Sequence, residues 1–274
     1  MSANIANAPE QQSPKPSTDD SLTVIGICLI AAMLTNILHE GVGHGLIALA
    51  TGAQSGLLTT VAWSSDFETG LVQAGGTLVN LAAGVMLWIA LRGLKNASVS
   101  LRYFLLICCA YNLFSGTGYF FFSGASNFGD WAAVISDMRP HWMWRVLLVC
   151  VGVVSYFLAV RVIGVGLVRY VAVPLADRRR LFRLMLIPYV AAVLLVGVAG
   201  LLNPISPLLV LQSALPATAG AYSGLLWLRY CVPSWTKPER TEDEIRRNNI
   251  WIGFASAAAI FFVAILGRGV TLHR

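Results

Sequence analysis

The sequence predicts an all-α polytopic membrane protein of about seven transmembrane helices, with a short β-hairpin between helices 1 and 2. Three observations predict it. Apolar residues make up 57% of the 274 positions, charged residues only 12%, and mean hydropathy is +0.70. Soluble domains average roughly 45–50% apolar and about 25% charged. Several apolar runs also match the ~20 residues that cross a ~30 Å hydrocarbon core. Finally, the basic residues alternate between the two ends of those runs. Together these exclude a soluble enzyme, a disordered protein and a secreted disulfide scaffold. The five cysteines, an odd number with no CxxC pair, lie in or beside apolar stretches and read as small buried hydrophobes.

Residues 1–20 are polar, with Pro9, Pro14 and Pro16. They have too little apolar surface to bury and read as a disordered cytoplasmic tail, not a signal peptide, because the apolar run begins only after residue 21. The first membrane segment spans 22–51, and its C-terminal half is interrupted by charge. In 53–73, Thr59, Thr60, Val61 and Trp63 favour strand, Ser64–Asp66 a turn and Gly70–Val72 a return, which predicts the hairpin. Further segments follow at 74–93, 99–123, 143–165, 182–202, 207–229 and 249–267. No 20–50-residue repeat is evident.

With the N-terminus on one side, every Lys and Arg except Arg139, Arg145, Arg268 and Arg274 falls on that same side. The positive-inside rule makes it cytoplasmic. The net charge of +6 therefore reads as orientation signal and contact with anionic lipid, not as a nucleic-acid footprint. Arg178-Arg179-Arg180 reads as a headgroup anchor, and Lys237–Arg247 as a mixed-charge cytoplasmic loop or surface helix.

The stretch that carries chemistry is His39-Glu40-Gly41-Val42-Gly43-His44. Ionisable residues at membrane depth are costly and call for a reason. No Lys or Arg in the segment neutralises Glu40, whereas a metal dication would. Neutral imidazoles suit zinc, and a carboxylate beside a zinc-bound water can take its proton. The zincin spacing HExxH places both histidines on one helical face. Here the spacing is HExxxH, and residues i and i+5 of a regular α-helix point about 140° apart, as ~3.6 residues per turn requires. A π-bulge would realign them, and Gly41, Gly43 and Gly45 make that distortion inexpensive. The bland alternative is a pair of histidines packed at a Gly-rich helix crossing.

This helix resembles the HExGH helix of site-two-protease-like intramembrane zinc metalloproteases. Ala74-Gly75-Gly76-Thr77-Leu78-Val79-Asn80 is similar to the G-P-x-x-N element that opens the family's next helix, with Gly76 in place of Pro. Ser126-Asn127-Phe128-Gly129-Asp130-Trp131 is the best match to the segment bearing the family's aspartate ligand. The resemblance covers roughly residues 22–135 and implies a zinc site of His39, His44 and Asp130, with Glu40 as general base. It also implies a substrate or oxyanion contact at Asn80, for which an interhelical polar contact is the alternative. Asn112 and Tyr119 carry the same two readings. His141 and Asp137 read as solvated loop residues. Independently of the family, the end of the first segment and the end of the third both reach the non-cytoplasmic side, bringing His39, His44 and Asp130 to one face.

The expected organisation is a tail at 1–20, a metalloprotease-like core at 21–140 and a four-helix membrane region of unassigned role at 141–274. The expected function is Zn2+-dependent hydrolysis of peptide bonds in transmembrane or membrane-associated protein substrates, within the lipid bilayer and with no nucleic acid. The hairpin would receive the substrate as an added strand. The rival readings are a non-proteolytic regulator or scaffold of the same fold, and a small proton or metal transporter.

Overall fold

A computed structural model describes residues 19–94, 96–205, 208, 210–239 and 244–274. The expected tail, apart from Asp19 and Asp20, lies outside the described residues, as do positions 240–243 of the expected mixed-charge loop. Among the described residues, six helices are long and apolar enough to cross a membrane. The all-α polytopic fold is therefore as the composition predicts.

Helix α1 (Ser21–Asn36) starts where the Asp20 carboxylate caps the Thr23 N–H at 2.8 Å. It runs without a break into a π-helical stretch, Ile37–Leu46, and then into α2 (Ile47–Thr51). The hairpin follows as β1 (Ser55–Leu58) and β2 (Trp63–Ser64). Its strands differ from expectation, because Thr59–Ala62 is the turn. The Thr59 hydroxyl accepts from the N–H groups of Val61 and Ala62 and donates to the Ala62 carbonyl, so a β-branched residue serves as a turn former. Gly70–Val72 is not a returning strand. Thr69 caps the Val72 N–H there and starts α3 (Gly70–Gly93) four residues earlier than expected.

The hairpin is also not alone. Strand β3 (Val270–His273), from the far end of the chain, pairs antiparallel with β1, so the sheet order is β2-β1-β3. Gly269, at φ +87°, makes the turn into β3.

Helix α4 (Val99–Ser126) is the central post. Its Tyr103, Tyr111 and Phe114 are fully buried, alongside Ile163 and Leu167 of α6 (His141–Tyr170) and Leu184 of α7 (Arg178–Gly200). Pro188 within α7 has no N–H to offer the Leu184 carbonyl. The Tyr103 hydroxyl donates to that carbonyl at 2.9 Å, and the Tyr111 hydroxyl donates to the Pro188 carbonyl at 2.7 Å. On its outer side α6 leaves Val153, Val154, Phe157 and Leu158 exposed, an apolar face suited to lipid.

The expected segment 207–229 is not one continuous helix. It comprises a π-turn at Val210–Ala214, α8 (Leu215–Tyr222) and α9 (Gly224–Cys231), broken at Ser223. Gly220 and Gly224 weaken the helix around the break. The Tyr156 hydroxyl accepts the Gly224 N–H at 2.7 Å. The last long helix comprises α10 (Asn249–Phe261) and a π-turn at Phe262–Leu266.

A buried ion pair fastens the end of the bundle where α1 begins. Asp19 and Arg180 meet at 2.9 Å, each side chain only 1% exposed. Asp19 also accepts the Ile245 N–H.

Candidate metal centre

Residues Ile37–Leu46 form a π-helix throughout. Its i→i+5 repeat stacks His39 over His44, with ring centroids 5.0 Å apart in an edge-on arrangement. Glycines allow this against a close neighbour. A Cβ at Gly43 would lie 2.6 Å from the Gly76 N, so α3 crosses at backbone contact. The same crossing keeps the ligand space open, because a Cβ at Gly76 would lie 2.7 Å from His39 Cε1.

Asp130 arrives from the other direction. After α4, Asn127 and Gly129 take left-handed conformations (φ 56° and 84°) and reverse the chain. The short helix α5 (Asp130–Val134) then opens with Asp130 turned towards the histidines. Its Oδ2 lies 3.4 Å from Nε2 of both His39 and His44. One ligand-type atom from each of the three residues falls within 4.8 Å of the others.

The other faces of the imidazoles are fixed. His39 Nδ1 meets the Asn80 side-chain oxygen at 2.5 Å, and His44 Nδ1 meets the Val72 carbonyl at 2.7 Å. Both acceptors require the proton on Nδ1, which leaves Nε2 as a lone-pair donor for a metal. Asn80 is itself held, its amide donating to the Asn112 oxygen at 2.7 Å while Asn112 donates to the Thr35 hydroxyl. Asn80 thus stands behind His39, fully buried, with its oxygen directed at the ring.

The donor set fits a cation. His39 Nε2 and Asp130 Oδ2 are buried without a hydrogen-bond partner, and such orphaned polar atoms are costly unless something pairs them. Burial alone would raise the Asp130 carboxyl. Imidazolium protons on Nε2, which a bound metal would displace, outweigh burial in the metal-free protein and hold it well below the usual carboxylate range. His39, His44 and Asp130 therefore form a group able to hold a metal ion.

Glu40 is 6% exposed and lies beside this group, one of its oxygens accepting the Trp63 N–H of β2 at 3.0 Å. With His44, Asp130 and Tyr119 it lines a cavity of about 450 Å³. It also lines a small polar chamber of about 50 Å³ with Thr60 and Ser115, large enough for a water or two. Tyr119 packs its ring 4.8 Å from His39.

His141 turns its ring nitrogens to the Asn127 side-chain oxygen and the Ile135 carbonyl, both acceptors, and is no part of the cluster, and Asp137 is exposed. The reasoning from sequence missed the role of Val72, a backbone carbonyl that leaves no residue signature. For Asn80 and Asn112 the structure shows the interhelical polar contact that was the alternative reading, and the extension of that contact to Thr35 is what the sequence did not signal.

Comparison with protein-family models, curated proteins and solved structures finds no match for this chain.

Proposed function

We propose that this protein is an intramembrane zinc metalloprotease that hydrolyses peptide bonds of membrane-associated substrates. The observation that carries the reading is the convergence of His39, His44 and Asp130 within 4.8 Å, with Glu40 alongside on the same π-turn. Three protein ligands with an open fourth position is the catalytic pattern, whereas structural zinc sites use four. The resemblance of 39–44 and 74–80 to site-two-protease-like enzymes supports the same reading.

His39, His44 and Asp130 would hold the metal. Zinc, when bound, supplies a Lewis acid and a water acidified towards neutrality. Glu40 accepts a proton from the attacking water and returns it to the leaving amine. Asn80 and the Val72 carbonyl keep both imidazoles oriented. β3 covers the outer edge of β1, and on the outer edge of β2 the Trp63 N–H is taken by Glu40, so the substrate would lie in the cavity beside Glu40, not as an added strand on the hairpin. A substrate helix has to unwind first, since its peptide groups are otherwise bonded internally. The charge distribution favours a cytoplasmic N-terminus and a site towards the opposite face.

The test uses the full chain in lipid nanodiscs and a dye–quencher peptide with one apolar span of about 20 residues. The reading expects one zinc per chain, cleavage abolished by chelation and restored by zinc. A parent protein that holds no metal, or whose cleavage ignores chelation, overturns it.

A further inference from the structure

We propose that the C-terminal strand β3 is a positioning element for Glu40. The inference deepens the protease reading and rests on it for its consequence, while its structural premise stands on a chain of contacts. β3 pairs with β1 through Ser55↔His273, Gly56↔Leu272, Leu57↔Thr271 and Leu58↔Val270. β1 pairs with β2 through Leu57↔Ser64 and Leu58↔Trp63. Trp63 then donates its N–H to Glu40 Oε2 at 3.0 Å.

The alternation of an antiparallel ladder explains why that N–H is free to do so. The Thr59 N–H bonds to the Ala62 carbonyl across the hairpin turn. The next pair, Leu58 and Trp63, is therefore a non-hydrogen-bonded pair, and the Trp63 N–H faces away from β1 towards Glu40. The same alternation makes Leu58–Val270 and Gly56–Leu272 the bonded pairs on the other edge of β1. The Arg274 N–H bond to the Gln54 carbonyl, at 3.0 Å, continues that series.

β2 has two residues and β1 four. A hairpin this short is marginal by itself, whereas a third strand gives a sheet independent footing. A second tie, from the Asn36 amide to the Thr60 carbonyl at 3.0 Å, fixes the hairpin tip to the helix one turn before His39. β3 fixes its base. One oxygen of Glu40 is thereby anchored to a sheet whose third strand is β3. The other oxygen is left for the proton. The region 141–274, which carries no chemical motif of its own, thus delivers β3 to the site.

The test is amide hydrogen exchange on the metal-free full chain in nanodiscs, comparing the parent, Leu272→Pro, a chain lacking 270–274, Glu40→Ala and Thr271→Ala. Leu272→Pro removes a ladder donor, whereas the Thr271 side chain is exposed. The proposal expects the Trp63 amide to exchange about tenfold to a hundredfold faster in Leu272→Pro and in the shortened chain, as for loss of a hydrogen bond to a charged group. Glu40→Ala should free Trp63 but leave β1 and β3 protected. Thr271→Ala should match the parent. Amides of α4 should stay protected throughout.

Loaded with zinc, the two strand variants should keep one metal per chain. They should cleave the dye–quencher peptide about 10–100-fold more slowly, the cost of a misplaced catalytic group. Parental protection of Trp63 in both strand variants overturns the proposal. So does lost protection with cleavage kept within about twofold, or with loss of zinc. General loss of α4 protection in both variants also overturns it, because β3 would then be a folding element. A parent that fails to cleave the peptide overturns the protease reading instead, and the exchange result still decides whether β3 holds Trp63 on Glu40.

Discussion

Asn80 and His39 are joined by a 2.5 Å contact between the amide oxygen and Nδ1, and that contact aims Nε2 of His39 at Asp130. Asn80→Ala should therefore weaken zinc about 10–100-fold, the usual cost of losing a partner behind a metal-bound histidine. Competition against a chelator of known affinity measures it. Asn112→Ala should give a smaller loss in the same direction, because Asn112 only steadies Asn80.

Asp130→Ala should abolish stoichiometric zinc, whereas Asp137→Ala, in an exposed turn, should not. Metal content of dialysed protein is the measurement.

Gly76→Ala would place a methyl group against both imidazoles. Overpacking a tight crossing costs about 1–3 kcal/mol, but the larger expected effect is loss of metal, since the added carbon occupies ligand space. Zinc stoichiometry and thermal unfolding in the same detergent separate the two. Gly70→Ala, where a Cβ meets nothing within 4 Å, is the control.

Glu40→Gln keeps the shape and can still accept the Trp63 N–H, but it removes the proton acceptor. Zinc should stay at one per chain while peptide cleavage falls ~10²–10⁴-fold. Unchanged cleavage would leave a metal-binding membrane protein without this chemistry.

Asp19→Ala would take away the carboxylate that meets buried Arg180 at 2.9 Å. Breaking one side of a buried pair costs about 3–5 kcal/mol, so unfolding in detergent should shift strongly downward. Zinc affinity should hold, because this pair sits at the end of the bundle away from the histidines.

Much of this was legible in the chain itself. Apolar length decided the membrane helices, because a bilayer imposes one span length and one way to satisfy the backbone. The HExxxH spacing with three alternating glycines pointed to both the ligand-type side chains and the π-helical distortion that brings them together, since helical pitch is a fixed quantity. Asp130 was legible through the resemblance and through its arrival on the same face.

The tertiary structure alone decided the rest. Thr59 reads as strand by propensity, yet its hydroxyl makes the turn. The 207–229 segment has the hydropathy of a span, yet Ser223 breaks it where Tyr156 takes up the Gly224 N–H. Val72 supports His44 through a carbonyl, which every residue possesses, and β3 meets β1 across more than 200 positions of sequence. Local sequence determines pitch, span and ligand type, because those depend on near neighbours. Which backbone group faces which ring depends on contacts between residues far apart in the chain, and only the folded arrangement brings them together.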